Sequence, residues 1–384
     1  MAHVPFFLAL LTLLWIIPAS FKVFSGKASV KLLKNVPLTE GRTLPKVTAV
    51  IPARNESRKI EEGLRSVLSQ VYWNLEVIVV DDRSTDDTGV ILDRLAKSHP
   101  RLKAVHIKDL PDGWLGKTHA LDVGAAEAAG EYLLFADADV VMDPTVVSRA
   151  VEYATKNRID FLTAAPELRM PGTALKVFGS AFTLFFSFYA EPWEAKNPKS
   201  RKHIGVGAFS LVRADAYRSA GAHKAIRMRP DDDMRLAQLM KSRGFRSEFV
   251  YGTGLLRIEW YSSVGEMIHG LMKNAFAALD YNLAAVAGTT LMMLAMDVWP
   301  FIAVWFFSGT VFWMNTAVIF IIAFLYWDDA LRHDTNPLYG LGFPAAVVLM
   351  VYIMWRAALM TISRKGIEWR GTFYPLAELR AHGA

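Results

Sequence analysis

The sequence predicts an α/β domain built on a doubly wound, mixed but mostly parallel sheet and flanked by transmembrane helices. Three observations predict it. Short apolar, β-branched runs alternate with stretches of helical spacing between Val47 and Ala136, the pattern of strand–helix–strand units. Polar clusters close those runs, at the edge where a doubly wound sheet binds ligands. Stretches almost free of charge lie toward both ends of the chain, long enough to cross a bilayer core of ~30 Å.

The elements follow in order. Val4 to Phe21 is almost wholly apolar and is followed by Lys22, Lys27, Lys31 and Lys34. Charge after the apolar run predicts an uncleaved anchor whose C-terminal end faces the cytosol. Val47 to Ile51, Leu75 to Val80, Leu102 to Ile107 and Tyr132 to Ala136 read as buried strands. Ser57 to Gln70, Thr85 to Lys97 and Thr118 to Ala129 read as helices between them, the second capped by Ser84 or Thr85. Leu283 to Trp327 contains one ionisable residue, Asp297, and predicts two spans. Asp328 to Pro337 reads as a polar loop, and Leu341 to Ile362 as a third span. The expected boundaries are 1–24 for the anchor, 25–46 for a juxtamembrane linker, 47–282 for a cytosolic domain, 283–363 for C-terminal transmembrane segments and 364–384 for a basic tail. Three full spans would put that tail outside, against the positive-inside rule. One apolar segment is therefore expected to be re-entrant or interfacial, with Leu283 to Met296 as the candidate.

Composition narrows the function classes. The 384 residues include no cysteine, which excludes disulfides and thiolate-bound metals. The net charge is +6, but the basic residues gather into no basic–aromatic surface, so no nucleic-acid partner is expected. With 53% hydrophobic residues, the bilayer of the cell's inner (cytoplasmic) membrane is the expected setting.

Three acidic clusters carry the chemistry. Asp137-Ala138-Asp139 follows a predicted strand, where carboxylates at i and i+2 share a direction and a hard cation, Mg²⁺ or Mn²⁺, with bound phosphate would relieve their repulsion. Asp81-Asp82 ends another strand, placed to accept from a nucleobase or ribose, or simply to build an Asp-rich turn. Asp231-Asp232-Asp233 precedes a helix, as complement to its dipole or as the source of a general base. Arg227, Arg229 and Arg235 lie near enough to offset that charge or meet phosphate. Lys117 could meet a pyrophosphate with Trp114 packed on a sugar or base, or could be an exposed lysine in a turn.

With these pieces in place, the chain resembles the inverting family-2 glycosyltransferases of the GT-A fold, and looks most like a membrane-bound branch that includes ceramide glucosyltransferases and hopene- and carotenoid-associated glycosyltransferases. The matching stretches are Val50–Ser57, Val79–Thr88, Gly113–Leu121, Leu133–Val140 and Asp232–Gly244, in the family's order. The resemblance implies a nucleotide-sugar donor, a UDP-sugar, bound by Pro52, Ala53, Arg54, Asn55, Glu56, Asp81, Asp82, Lys117, Asp137 and Ala138. It implies a metal held by Asp139 with Asp137, and Asp233 as the base, with Asp232 standing where Glu is commoner. His269 to Asn274 departs from the Q-x-x-R-W of processive members; Lys273 would keep a cation for the diphosphate, and a non-processive enzyme is implied. Trp369 to Tyr374 resembles a W-x-G-R-x-Y element with Thr372 in place of arginine. The expected acceptor is a membrane lipid hydroxyl, with the aromatic stretch Phe178 to Trp193 either at a lipid entrance or in an ordinary core helix. The alternatives are a nucleotidyltransferase or other nucleotide-binding membrane enzyme of the same fold, and a polysaccharide-assembling transferase.

Overall fold

The computed structural model describes residues 3–38, 44–333 and 335–381. The middle of the expected linker, 39–43, and the last residues of the basic tail, 382–384, lie outside them. In chain order the first half forms α1 (His3–Ser29), β1 (Lys31–Leu32), β2 (Val47–Ala53), α2 (Ile60–Leu68), β3 (Leu75–Asp82), α3 (Thr88–Ser98), β4 (Leu102–Ile107), α4 (Gly116–Glu127), β5 (Tyr132–Phe135), β6 (Val141–Met142), α5 (Val146–Asn157), β7 (Phe161–Ala165), β8 (Glu167–Arg169) and α6 (Gly172–Ala190). The second forms β9 (Ser210–Arg213), α7 (Ala214–Ala220), α8 (Asp232–Ser242), β10 (Ser247–Tyr251), β11 (Leu256–Glu259), α9 (Val264–Ala275), α10 (Leu283–Met293), α11 (Trp299–Phe306), α12 (Gly309–His333), α13 (Phe343–Ser363), β12 (Gly366–Trp369), β13 (Thr372–Pro375) and α14 (Leu376–Ala381).

These elements divide into two compact units. The sheet unit takes Val30–Arg169, Pro192–Glu259 and the chain from Glu368 onward. Its main sheet has the order β1-β10-β7-β9-β5-β2-β3-β4. All neighbours are parallel except β9, which runs antiparallel to β5 and β7. Alternation along the strands feeds two cores. Val47, Ala49 and Ile51 of β2 and Val77 and Val79 of β3 pack with α2, α3 and α5 on one face. Val50, Ile78 and Val80 pack with α4, α7 and α8 on the other. Burial on both faces is why these strands read as continuous apolar runs. Pro52 is tolerated inside β2 because pairing with β5 has already stopped at Val50.

The four strands expected near the N-terminal side of the domain are present, with two local corrections. α3 begins at Thr88, so Ser84 and Thr85 do not cap it. Asp137 and Asp139 do not continue β5, because the chain turns at Ala138–Asp139.

The helical unit takes α1, Met170–Glu191 and Trp260–Ile367. Among the described residues, five segments are long and apolar enough to cross a membrane: His3–Ser29, Gly172–Lys196, Leu283–Phe306, Gly309–His333 and Pro337–Ser363. The expected polar loop from Asp328 is instead the last turn of α12, where Arg332 pairs with Asp328 at 2.9 Å. Lys27, expected as juxtamembrane charge, is buried against Asp329, whose other oxygen accepts from Thr183 of α6 at 3.0 Å. This polar knot joins α1, α6 and α12. Phe178 to Trp193, expected within the catalytic domain, is largely α6 and falls with the helices.

Connectivity limits the path through a bilayer. α6 leaves the sheet unit and returns to it, and so do the three long helices between Glu259 and Glu368. If the sheet unit lies wholly on one side of a membrane, a chain leaving it would return only after an even number of complete crossings. On that condition α6 would not be a lone crossing, and the three later helices would not all be complete crossings.

Removing one partner of a buried ion pair strands the other charge. Lys27→Met should therefore cost about 3–5 kcal/mol and lower the thermal unfolding midpoint in detergent. Adding Asp329→Leu should recover most of that loss; no recovery would show that the pair does not bear on stability.

Candidate functional site

The site begins where β2 and β3 end. Both following loops pass through left-handed backbone, at Asn55 (φ 53°) and Arg83 (φ 56°). They are laced together by short polar bonds. The Asn55 N–H donates to Ser84 Oγ at 3.0 Å, and the Thr85 N–H donates to Asn55 Oδ1 at 2.8 Å. Asp86 accepts from the Ser57 N–H at 3.1 Å and from Thr88 at 2.6 Å. Burial opposes its charge, but these bonds prevail and lower its pKa to about 2.

Asp82, almost fully buried, receives Arg83 Nε at 2.7 Å and Arg54 Nη1 at 3.4 Å. A Cβ on Gly116 would lie 2.2 Å from its Oδ2, so glycine alone lets α4 start against this carboxylate. Asp81 is committed to protein partners: Oδ1 accepts from the Ser84 N–H at 3.2 Å and Oδ2 lies 3.0 Å from His106 Nδ1. The hydrogen bond to Asp81 is the main reason the His106 pKa is raised.

In the first turn of α4 stands Lys117. Its Nζ lies 2.9 Å from Asp137 Oδ1 and 3.3 Å from Asp232 Oδ2. Burial would lower its pKa, yet Asp137, Asp232 and Asp233 outweigh burial and hold it well above the ordinary lysine value. The expectation of an exposed lysine in a turn is thereby excluded. The acidic triplet divides its labour. Asp231 is neutralised by Arg229 at 2.9 Å and Arg235 at 2.9 Å. Asp232 faces Lys117. Asp233 accepts from the Gly207 N–H at 2.9 Å and from the Met234 N–H at 2.7 Å. Burial first, and Asp232 second, raise the Asp233 pKa.

The loop before β9 ties these carboxylates together, and the sequence reading missed it. Gly207 donates its N–H to Asp233, while its carbonyl accepts from the Asp137 N–H at 3.0 Å. A Cβ on Gly207 would lie 2.7 Å from Asp137 Oδ2, and one on Gly205 would lie 1.9 Å from the Asp233 carbonyl oxygen. The spacing Gly205-Val206-Gly207 was the available signal. Pro52, Lys117, Asp137, Gly207, Asp232 and Asp233 line one cleft, which His223 also reaches. Burial and then Lys117 lower the His223 pKa to about 3, so its imidazole is neutral. Trp114 stands edge-on to His119, ring centroids 5.4 Å apart.

Asp139 is half-buried, and among the described residues it forms no salt bridge. Burial, Asp137 and Glu56 push its carboxyl up to about 6. A carboxylate with no salt bridge, crowded by two others and only partly offset by Lys59, fits a divalent cation. Among the described residues no three side chains gather as a ready cation cage, so a bound ligand's oxygens would have to complete the coordination. Ala53 and Ala138 are buried backbone positions beside the cluster's elements. Lys273 lies on α9, in the helical unit, outside the unit that assembles the cluster.

Comparison with known proteins places this geometry. Residues 48–221 match the sequence profile described as glycosyl transferase family 2. An uncharacterized glycosyltransferase of Haemophilus influenzae is 34% identical over 120 residues, 31% of this chain and 35% of that protein. A 4,4'-diaponeurosporenoate glycosyltransferase of Staphylococcus aureus is 26% identical over 181 residues, 47% of each chain. The chain thus matches between a third and a half of the length of these relatives. The mannosyltransferase PcManGT from Pyrobaculum calidifontis, solved in complex with GDP-Man and Mn²⁺, superposes with a TM-score of 0.55 at 18% identity, covering 92% of this chain and 97% of that one. The sheet unit has the GT-A fold, and residues 48–221 are a domain of glycosyl transferase family 2.

Proposed function

We propose that this chain transfers a sugar, with inversion, from a nucleoside-diphosphate sugar to a hydroxyl of a membrane lipid, one sugar per acceptor. The observation that carries the reading is the convergence of Asp137, Lys117, Asp232 and Asp233 in one cleft at the carboxyl edge of the parallel strands. The donor base assigned by the motif resemblance is uridine.

In the reaction the acceptor oxygen forms a bond to the anomeric carbon as the bond from that carbon to the diphosphate oxygen breaks. The acceptor proton passes to Asp233, whose basicity is raised by burial and by Asp232. Each Asp233 oxygen accepts one backbone N–H and keeps a second lone pair for that proton. The two N–H groups fix its orientation. Lys117 carries three donors, two aimed at Asp137 and Asp232, so it brings a fixed positive charge to the cleft that receives the leaving diphosphate. Asp139 with Asp137 would hold Mg²⁺ or Mn²⁺, which when bound offsets charge on the departing diphosphate.

Three features support a lipid acceptor. The helical unit exposes large apolar side chains such as Trp305, Phe306, Trp313 and Phe320. An α6 that lies in the interface or re-enters would suit an apolar acceptor reaching a site on the sheet unit. One relative is named for glycosylating diaponeurosporenoate. The exposed Lys22 in the last third of α1, and Lys31 and Lys34 after it, favour a cytosolic face of the inner membrane for the sheet unit. The match to a glycosyltransferase family favours sugar transfer over nucleotidyl transfer.

Purified protein in nanodiscs, given labelled UDP-sugars and GDP-sugars with total polar lipid, should label a lipid. Asp233→Asn should lower transfer by about a thousandfold, within the range of a lost general base, while nucleoside diphosphate binding stays within about threefold. Retained transfer would remove Asp233 from the base role. Asp139→Ala should abolish both transfer and the Mn²⁺ dependence of nucleotide binding. Full activity of the wild type in excess chelator would overturn the metal assignment.

A further inference from the structure

The chain from Glu368 onward lies beyond residues 48–221 but belongs to the sheet unit. Its turn, Arg370-Gly371, has positive φ at both residues, 48° and 75°. Left-handed backbone at a non-glycine residue persists only where surroundings hold it, and Arg370 is held by its own side chain. Its Nη1 donates to the carbonyl of Arg54 at 2.5 Å, and its Nη2 meets Glu56 Oε1 at 2.6 Å. Four residues on, the buried Tyr374 hydroxyl accepts the Gly116 N–H at 3.2 Å. α4 receives no cap from its preceding residue, Leu115. Tyr374 thus satisfies an open donor at the first turn of the helix that carries Lys117. Tyr374 also interacts with Arg83, the partner of Asp82.

These contacts close a loop around the expected donor site: Arg370 to Arg54 and Glu56, Arg54 to Asp82, Asp82 to Arg83, Arg83 to Tyr374, Tyr374 to Gly116. We propose that this C-terminal turn and strand β13 are a positioning element, fixing the Arg54–Glu56 loop and the start of α4 before the nucleoside-diphosphate sugar arrives. The proposal rests on the donor reading above and adds residues distant from the family match to it. Arg370 and Tyr374 are positioning residues: they act through Arg54, Glu56, Gly116 and Arg83.

The test uses the full chain in nanodiscs. Tyr374→Phe should raise the Kd for UDP or GDP with Mn²⁺, and the donor KM, by about tenfold, with kcat within about threefold. Arg370→Met, at a more exposed pair, should raise them by about three- to tenfold, and Arg370→Lys should recover part of the loss. Val90→Ala, at an exposed position on α3, should leave both values unchanged. Amide exchange should accelerate at 54–57 and 115–119 in Tyr374→Phe and Arg370→Met, but not in β2 or β3. Wild-type nucleotide affinity together with wild-type exchange in both variants would overturn the proposal. If the wild type retains neither nucleotide, the donor reading falls, and exchange alone decides whether the tail sets these loops.

Discussion

A half-buried lysine surrounded by aspartates sets the geometry of the sheet unit's ligand edge. Asp137, Asp232 and Asp233 come from just after β5 and the start of α8, segments separated in sequence by α5, α6, β9 and α7. Brought together alone they would repel, and each would be driven toward its neutral form by burial. Lys117 removes that obstacle by standing 2.9 Å from Asp137 and 3.3 Å from Asp232. Its position follows from α4, and α4 can start where it does because Gly116 packs against Asp82 without a side chain. The dependency therefore runs from a strand-end carboxylate, through a glycine, to a cation, and from the cation to two further carboxylates. Breaking any early step would displace all later ones.

Backbone groups complete what the charges begin. Gly207 takes the Asp137 N–H on its carbonyl and gives its own N–H to Asp233. One glycine thus sets the spacing between Asp137, expected to help Asp139 hold the metal, and Asp233, expected to act as base. Close approach of this kind needs glycine, since a Cβ at Gly207 would meet Asp137 and one at Gly205 would meet the Asp233 carbonyl. Asp231, although adjacent in sequence, is excluded from the cleft's chemistry because Arg229 and Arg235 both claim it. Sequence adjacency gives three equivalent aspartates; packing gives each a separate partner.

That distinction explains what could be read in advance. β2 to β5 were legible because strands buried on both faces have an unmistakable apolar pattern, and their ends are marked by charge. The acidic positions were legible because unpaired carboxylates after such strands are costly without a ligand or counter-ion. The antiparallel β9 and the short β1 were not, since each is only a few residues long and its pairing is non-local. The Gly205–Gly207 bridge was not, because glycine signals close approach without saying to what. Asp328 and Asp329 looked like loop residues because their partners, Arg332 and Lys27, lie one turn and some three hundred residues away. Lys273 followed from alignment to a motif rather than from any local constraint, and its helix belongs to the other unit.

The division into units also bears on how a soluble-type fold could serve an apolar acceptor. The chain leaves the sheet unit at Arg169 for α6 and is back at Pro192, so a single helix interrupts a sheet whose strands on both sides pair within the same unit. Placed between β8 and β9, it interrupts the stretch leading to Gly205 and Gly207, the two glycines that seat Asp233 and Asp137. The chain from the end of α6 reaches that loop through residues 192–204 of the sheet unit. Within the helical unit, Asp329 of α12 meets Lys27 of α1 and Thr183 of α6, which fixes the three helices to one another.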